Sequence, residues 1–447
     1  MLIRTQFLYL ACATFLAVIM LGRPSASLAE PLIQQWRTAS GAKVLLVEDH
    51  AIPMLDIQVN FDAGSRYDAP SRSGLAAMTA RILRTGTRAT QGCLGLTEAQ
   101  IENRVADIGG VISDTVDKDS AALHLRTLST APERDAALAT FATLLQCPSF
   151  PKKKLDREKQ RFITALKELS NRPQAQAEKA FSAAVFGVHP YGVSPDPKSI
   201  SALTPAALSA FYQTHYDAQH AVLSIVGDCD RLQAERIAEQ LMRALPRGMP
   251  RAELPPVVSL ASPREIKVPH PALQAHILLG APAIARGDPD YFALLVANQV
   301  LGGGTLISRL GHEVREQRGL SYGVYSAFVP AAQPGYFQIS LQTQQGQAPK
   351  ALAVVRETLA KFIAQGPTQA ELEAAKNYLV NSYPLQLDSN RKRLEIVATI
   401  GFYGLPLDYL NTWTARVNAV TREEAQTAFA KHVNLSKMVT VLVGAPE

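Results

Sequence analysis

Histidine is scarce in this chain: nine in 447 residues, at positions 50, 124, 189, 215, 220, 270, 276, 312 and 432. No two stand in an HxxxH or HxxEH pattern, so no helix face offers two imidazoles to one metal ion. His215 and His220 fall on either side of an expected helix end, and His270 and His276 could share a strand face but lie six residues apart, which leaves their pairing open. Cysteine is equally sparse. Beyond Cys12 there are only Cys93, Cys147 and Cys229, with no CxxC, which argues against a thiolate metal site and against a disulfide framework. At most one bridge can form, and buried free thiols are the expectation. There is no GxSxG elbow for a serine nucleophile. Gly302-Gly303-Gly304-Thr305 lacks the GxxxxGK[ST] pattern of a phosphate loop and the Rossmann spacing. Charged residues are 19% of the chain and the formal net charge is +6. That bias is too weak to argue for nucleic acid.

Long apolar runs are also missing, except at the start. Arg4 followed by the apolar stretch 8–21 and the small-x-small Ser27-Leu28-Ala29 reads as a signal peptide over 1–29. The apolar stretch is shorter than the ~20 residues of a membrane span, and almost no apolar region precedes Cys12 for a lipoprotein signal. The leader holds Arg4 and Arg23 and no acid, so the remaining chain carries about +4. Periplasmic localisation without a stable membrane anchor is expected.

What is present is a repeat. Thr204-Pro205 opens a helix running to His215, followed by a strand at 221–226 and Gly227. At a constant offset come Thr421, His432, a strand at 438–443 and Gly444, with Glu424 placed as the capping-box partner of Thr421. The proline-rich stretch 247–256 is expected to be an extended linker. It divides a first half, 30–246, from a second, 257–447. Further strands are expected at 43–48, 55–63, 275–280 and 336–343, and helices at 73–84, 97–108, 131–146, 155–169, 289–300, 349–365 and 368–382. Helices gathered against mainly antiparallel sheets make an α+β fold with two similar halves.

Three stretches carry a resemblance. Gly74-Leu75-Ala76-Ala77-Met78-Thr79-Ala80-Arg81 through Gly86-Thr87 looks like Gly-Leu-Ala-His-x-x-Glu-His-x-x-x-x-Gly-Thr, and Phe186-Gly187-Val188-His189-Pro190-Tyr191-Gly192 looks like a His-Pro-Tyr-Gly turn. Leu301-Gly302-Gly303, Ser308-Arg309-Leu310, Arg315-Glu316 and Gly319-Leu320-Ser321-Tyr322 form the third. Together they resemble the M16 (pitrilysin-type) metallopeptidases, above all the short bacterial subunits akin to mitochondrial processing peptidase. The resemblance implies an inverted zinc motif whose two histidines and general base fall on Ala77, Arg81 and Ala80. All three are absent, and a methyl group or an obligate cation is no zinc ligand. The third ligand falls by count on Ala165, or on Glu168 after a register shift. No metal is therefore expected in this chain.

The resemblance further implies that Arg315 and Tyr322 reach a zinc site in the other half of a chamber, where they steady the oxyanion. The glycines Gly302, Gly303 and Gly304 would line that chamber, allowing positive φ and the close approach of another chain. Without the resemblance, Arg315 would simply pair with Glu313 or Glu316, Tyr322 would be a half-buried strand aromatic, and the glycines would be a loop between helices. The implied partner is a zinc-bearing M16 subunit with an intact His-x-x-Glu-His, and the implied substrate is a peptide or unfolded polypeptide. A catalytically silent structural or peptide-binding role is the alternative.

Overall fold

The computed structural model describes residues 32–251, 253–304 and 307–445, so the expected signal peptide lies outside the described residues. In the first half, six strands β1 (Gln34–Arg37), β2 (Lys43–Glu48), β3 (Met54–Phe61), β4 (Val111–Val116), β5 (Ala121–Leu128) and β6 (Val222–Gly227) form a sheet of order β1-β2-β6-β3-β5-β4. In the second, β7 (Arg264–Val268), β8 (Gln274–Pro282), β9 (Val324–Val329), β10 (Tyr336–Gln344) and β11 (Val439–Val443) take the order β7-β11-β8-β10-β9. Apart from β1 the two orders are the same. In each, the last strand slots between the first long strand, which it meets in parallel, and the next, which it meets antiparallel. The repeated glycines sit at equivalent strand ends. Gly227 has φ +133, and a Cβ there would stand 2.2 Å from the Met54 carbonyl oxygen.

Helices cover these sheets: α1 (Leu75–Leu83), α2 (Glu98–Asp107), α3 (Ala131–Gln146), α4 (Lys152–Ser170), α5 (Pro173–Phe186), α6 (Pro197–Ser201), α7 (Pro205–His215) and α8 (Arg231–Met242), then α9 (Tyr291–Asn298), α10 (Ala348–Gln365), α11 (Gln369–Ser382), α12 (Asn390–Tyr403), α13 (Tyr409–Ala419) and α14 (Arg422–His432). Their starts follow local chemistry. Thr97, Thr368 and Thr421 each close a capping box with the residue three further on, and Thr204 caps α7 through the Ala207 amide.

Two helices are exchanged between the halves. Phe181, Ala184 and Val185 of α5 pack on Leu278, Val439 and Val441 of the second sheet. Leu394, Val397 and Ile400 of α12 pack on Leu45, Val47 and Val222 of the first. The described residues from 33 onward accordingly form one compact unit. The proline-rich stretch carries no helix or strand among its described residues. It is nonetheless tied down: the Arg251 guanidinium donates to Asp217 at 2.5 Å and to the Thr214 and His215 carbonyls.

The expectation of free thiols is corrected at two positions. Cys93 and Cys147 form a disulfide across 54 residues, and among the described residues only Cys229 is a buried free thiol. The bridge ties the loop before α2 to the end of α3, and constraining a loop of that length in the unfolded chain is worth about 4 kcal/mol. Burial pushes the Cys229 thiol up to about 12. Among the described residues, no helix is long and apolar enough to cross a membrane.

His215 supplies a pH prediction. Its ring lies against Tyr67 and Phe211. Burial, with the Arg251 charge adding to it, lowers its pKa to about 4. A depressed folded value means that the native state favours the neutral ring. The stability this represents is complete above the unfolded value near 6.5 and is lost as pH falls through about 4. Replacing His215 by phenylalanine, followed by chemical denaturation across that range, should flatten the acid loss by about 2–3 kcal/mol. An unchanged slope would remove His215 as its source.

Candidate functional site

Asp68 positions α1. Its carboxylate accepts from the Gly74 amide at 2.7 Å and the Ala76 amide at 2.9 Å, at the helix start where orphan N–H groups need acceptors. Burial nevertheless raises the Asp68 pKa to about 6, against the pull of those amides. The helix so placed turns Ala77, half-buried, and Arg81, exposed, to one face, while Ala80 is fully buried.

Arg81 reaches two carboxylates, Glu158 on α4 at 3.6 Å and Asp114 on β4 at 3.8 Å. Glu158 is 5% exposed and is also bound by Arg157 at 2.8 Å and Arg161 at 3.0 Å. Arg84 pairs with Asp114 at 2.6 Å. Arg157 and Lys154 clasp Glu98, holding its carboxyl at about 2. Arg81, Arg84, Glu98, Glu158 and Arg161 border a cavity of about 430 Å³ beside edge strand β4. The α4 carboxylate that meets α1 is thus Glu158. Ala165 is exposed and lies seven residues, about 10 Å, further along the helix. Glu168 is exposed one turn beyond that. The count that led to Ala165 started from Glu158 itself and so stepped past the carboxylate that faces α1.

The donor set does not fit zinc. Two methyl groups and a guanidinium carry no lone pair for a metal, and both nearby carboxylates are engaged, Glu158 by three arginines and Asp114 by Arg81 and Arg84. Among the described residues, the only three ligand-type side chains whose donor atoms gather are Asp288, Asp290 and His432. There Lys431 already bonds Asp290 at 2.6 Å and His432 bonds it at 2.8 Å, which makes an ion-pair cluster.

Arg315 and Tyr322 are brought together. The guanidinium carbon lies 4.9 Å from the Tyr322 ring centroid, within cation–π range. Arg315 pairs with neither glutamate expected as its alternative partner. Glu313 is taken by Arg318 at 2.6 Å and Glu316 by His312 at 3.1 Å. Nor is Tyr322 half-buried: it is 87% exposed. The turn beneath it is rigid, because Ser321 donates to the Gln342 and Gly323 carbonyls and Thr343 donates to Leu320. The pair is a projecting phenol steadied by a cation with no acidic partner among the described residues.

The glycine reading needs correction. None of Gly302, Gly303 and Gly304 has positive φ. The helix α9 runs on as a π-helical turn, Gln299–Gly303, so this is not a loop. Gly302 is needed for contact within the chain: a Cβ there would stand 2.5 Å from Ser326 Oγ on β9. Gly302 and Gly304 are buried, and only Gly303 is exposed.

Sequence reasoning missed Asp119, which is 1% exposed. It accepts from Arg66 at 2.6 Å and Tyr191 at 2.5 Å within the first half. From the second half it accepts from the Ala332 amide at 2.7 Å and the Tyr403 hydroxyl at 3.0 Å. The His189-Pro190-Tyr191-Gly192 turn serves this junction. His189 accepts from the Tyr191 amide and meets Gln333 of the second half, which aims the Tyr191 phenol at Asp119. Burial, then the bond to Asp119, raises the pKa of Tyr191, and burial with the Asp119 charge raises that of Tyr403.

A family model described as insulinase (peptidase family M16) matches residues 43–194, and one described as the peptidase M16 inactive domain matches 202–379. The crystal structure of a peptidase M16 inactive domain from Pseudomonas fluorescens is 35% identical, with TM-score 0.88 over 93% of this chain and 98% of that one. The "non-peptidase homolog YmxG" of Helicobacter pylori is 27% identical over 96% of this chain and 98% of its own. The periplasmic protease PqqL of Escherichia coli, at 16% identity, shares the fold with TM-score 0.78 over 95% of this chain, which spans 46% of that longer protein.

Proposed function

The chain belongs to the M16 peptidase family, and from that premise we propose that it is the non-zinc-binding subunit of a two-chain, exported M16 peptidase. Its own zinc-motif positions are occupied by Ala77, Ala80 and Arg81, so the metal and general base would come from a second, zinc-bearing M16 chain. This chain would supply Arg315, Tyr322 and part of the wall enclosing a peptide or unfolded polypeptide. The observation that carries the proposal is the Arg315–Tyr322 pair: an exposed phenol held beside a cation has its hydroxyl free to donate to an acceptor brought in from outside. A tetrahedral oxyanion is such an acceptor. The occurrence of the fold as about half of a longer periplasmic protease supports pairing with a second M16 unit. The N-terminal leader and the Cys93–Cys147 bridge support an oxidising compartment outside the cytoplasm.

In the reconstituted complex, Tyr322→Phe should lower kcat about 100-fold, the usual cost of one oxyanion donor, and leave assembly by gel filtration unchanged. Unchanged kcat would remove Tyr322 from the chemistry. A silent structural or peptide-binding role is favoured by the name of the Helicobacter relative. It predicts that the partner cleaves peptides equally well with the Tyr322→Phe chain and with the unaltered one.

A further inference from the structure

A second cavity, of about 380 Å³, opens where the first sheet meets α12, on the seam between the halves. Arg37 and Lys43 enter it from β1 and β2, Arg66 from below, and Arg286 from the second half. Its one carboxylate, Asp62, is fully engaged by Arg66, Tyr67 and Arg251. Arg66 is balanced by Asp62 and Asp119. The other three cations have no acidic partner among the described residues. Arg37 donates only to the Gly41 carbonyl and Lys43 only to the Gly401 carbonyl near the end of α12. Arg286 makes no side-chain hydrogen bond and lies 5.5 Å over the Tyr403 ring. The Nε atoms of Arg66 and Arg286 are both buried without an acceptor. The C-terminal half-charge of α12 offsets part of the Lys43 charge and leaves the excess of the other two.

Three like charges converging on one cavity repel one another, and buried guanidinium donors without acceptors are costly. We infer that this seam cavity is a binding site for a small multivalent oxyanion of the phosphate class. Arginine forks and a lysine point charge suit such a group, and an anion here would link Arg37 and Lys43 of the first half to Arg286 of the second. Burial and the Arg37 charge together lower the Lys43 pKa, as expected where a counter-charge is lacking. The inference stands independently of the proposed peptidase role.

The test uses the full chain alone, with inorganic pyrophosphate as the probe at constant ionic strength. Thermal melting should show a saturable rise in Tm, and calorimetry one site per chain. Arg286→Ala and Arg37→Gln should each weaken binding about tenfold, the loss of one charge-assisted contact. Arg37 is exposed, so its variant folds. It should also melt no lower than the unaltered chain when pyrophosphate is absent, because a repulsion has been relieved. An absent or non-saturable rise in Tm, or pyrophosphate affinity in either variant equal to that of the unaltered chain, would overturn the assignment.

Discussion

A chain carrying Ala77→His together with Arg81→His takes up one zinc ion. The two positions are four apart on α1 and share a face, so imidazoles there would converge. Glu158 supplies the third ligand. Its carboxylate is 5% exposed and already lies 3.6 Å from the Arg81 side chain, so removing that guanidinium leaves an anionic oxygen facing the new imidazole. Two histidines and a carboxylate with an open fourth position form a known type of zinc site. Zinc measured by emission spectroscopy after dialysis should approach one per chain, and adding Glu158→Gln to the pair should abolish most of it. Peptidase activity is not expected, because Ala80 still offers no general base. Equal zinc uptake with and without Glu158 would show that the geometry has been misread.

Asp119→Ala should destabilise the protein by about 3–5 kcal/mol, the cost of removing one member of a buried ionic network. Arg66 would keep only Asp62, and the Tyr191 hydroxyl, the Tyr403 hydroxyl and the Ala332 amide would each lose an acceptor. Because two of those groups belong to the second half, the loss should fall on the junction. Melting should drop by on the order of 10 °C and broaden towards two steps. A double-mutant cycle with Tyr403→Phe isolates the cross-junction part, and a coupling energy near zero would mean that Asp119 serves the first half alone.

Much of this architecture was legible from sequence because local chemistry sets it. The helix starts at Thr97, Thr204, Thr368 and Thr421, and the repeated strand ending in Gly227 and Gly444, mark elements the structure contains where expected. The edge hairpins were not legible. β4 alternates exposed and half-buried residues whose polar character, Ser113-Asp114-Thr115, hides a strand. The exchange of α5 and α12 was also invisible, since a helix's apolar face does not say which sheet it covers. At the site, Arg315 and Tyr322 were marked only by the family resemblance; the residues by themselves pointed to an ion pair with Glu313 or Glu316 and a half-buried aromatic. Glu158 and Asp119 could not be read, because their partners lie 77 and 284 residues away in sequence, at Arg81 and Tyr403. The Cys93–Cys147 bridge was missed for the same reason: an odd count of thiols gives no pairing without the fold.

Metal content tests the central claim most directly. The unaltered chain, dialysed against micromolar zinc and then washed free of loosely held ions, should retain no zinc above the buffer and should cleave no peptide alone. One tightly held zinc per chain, with peptide cleavage that a chelator stops, would contradict the account.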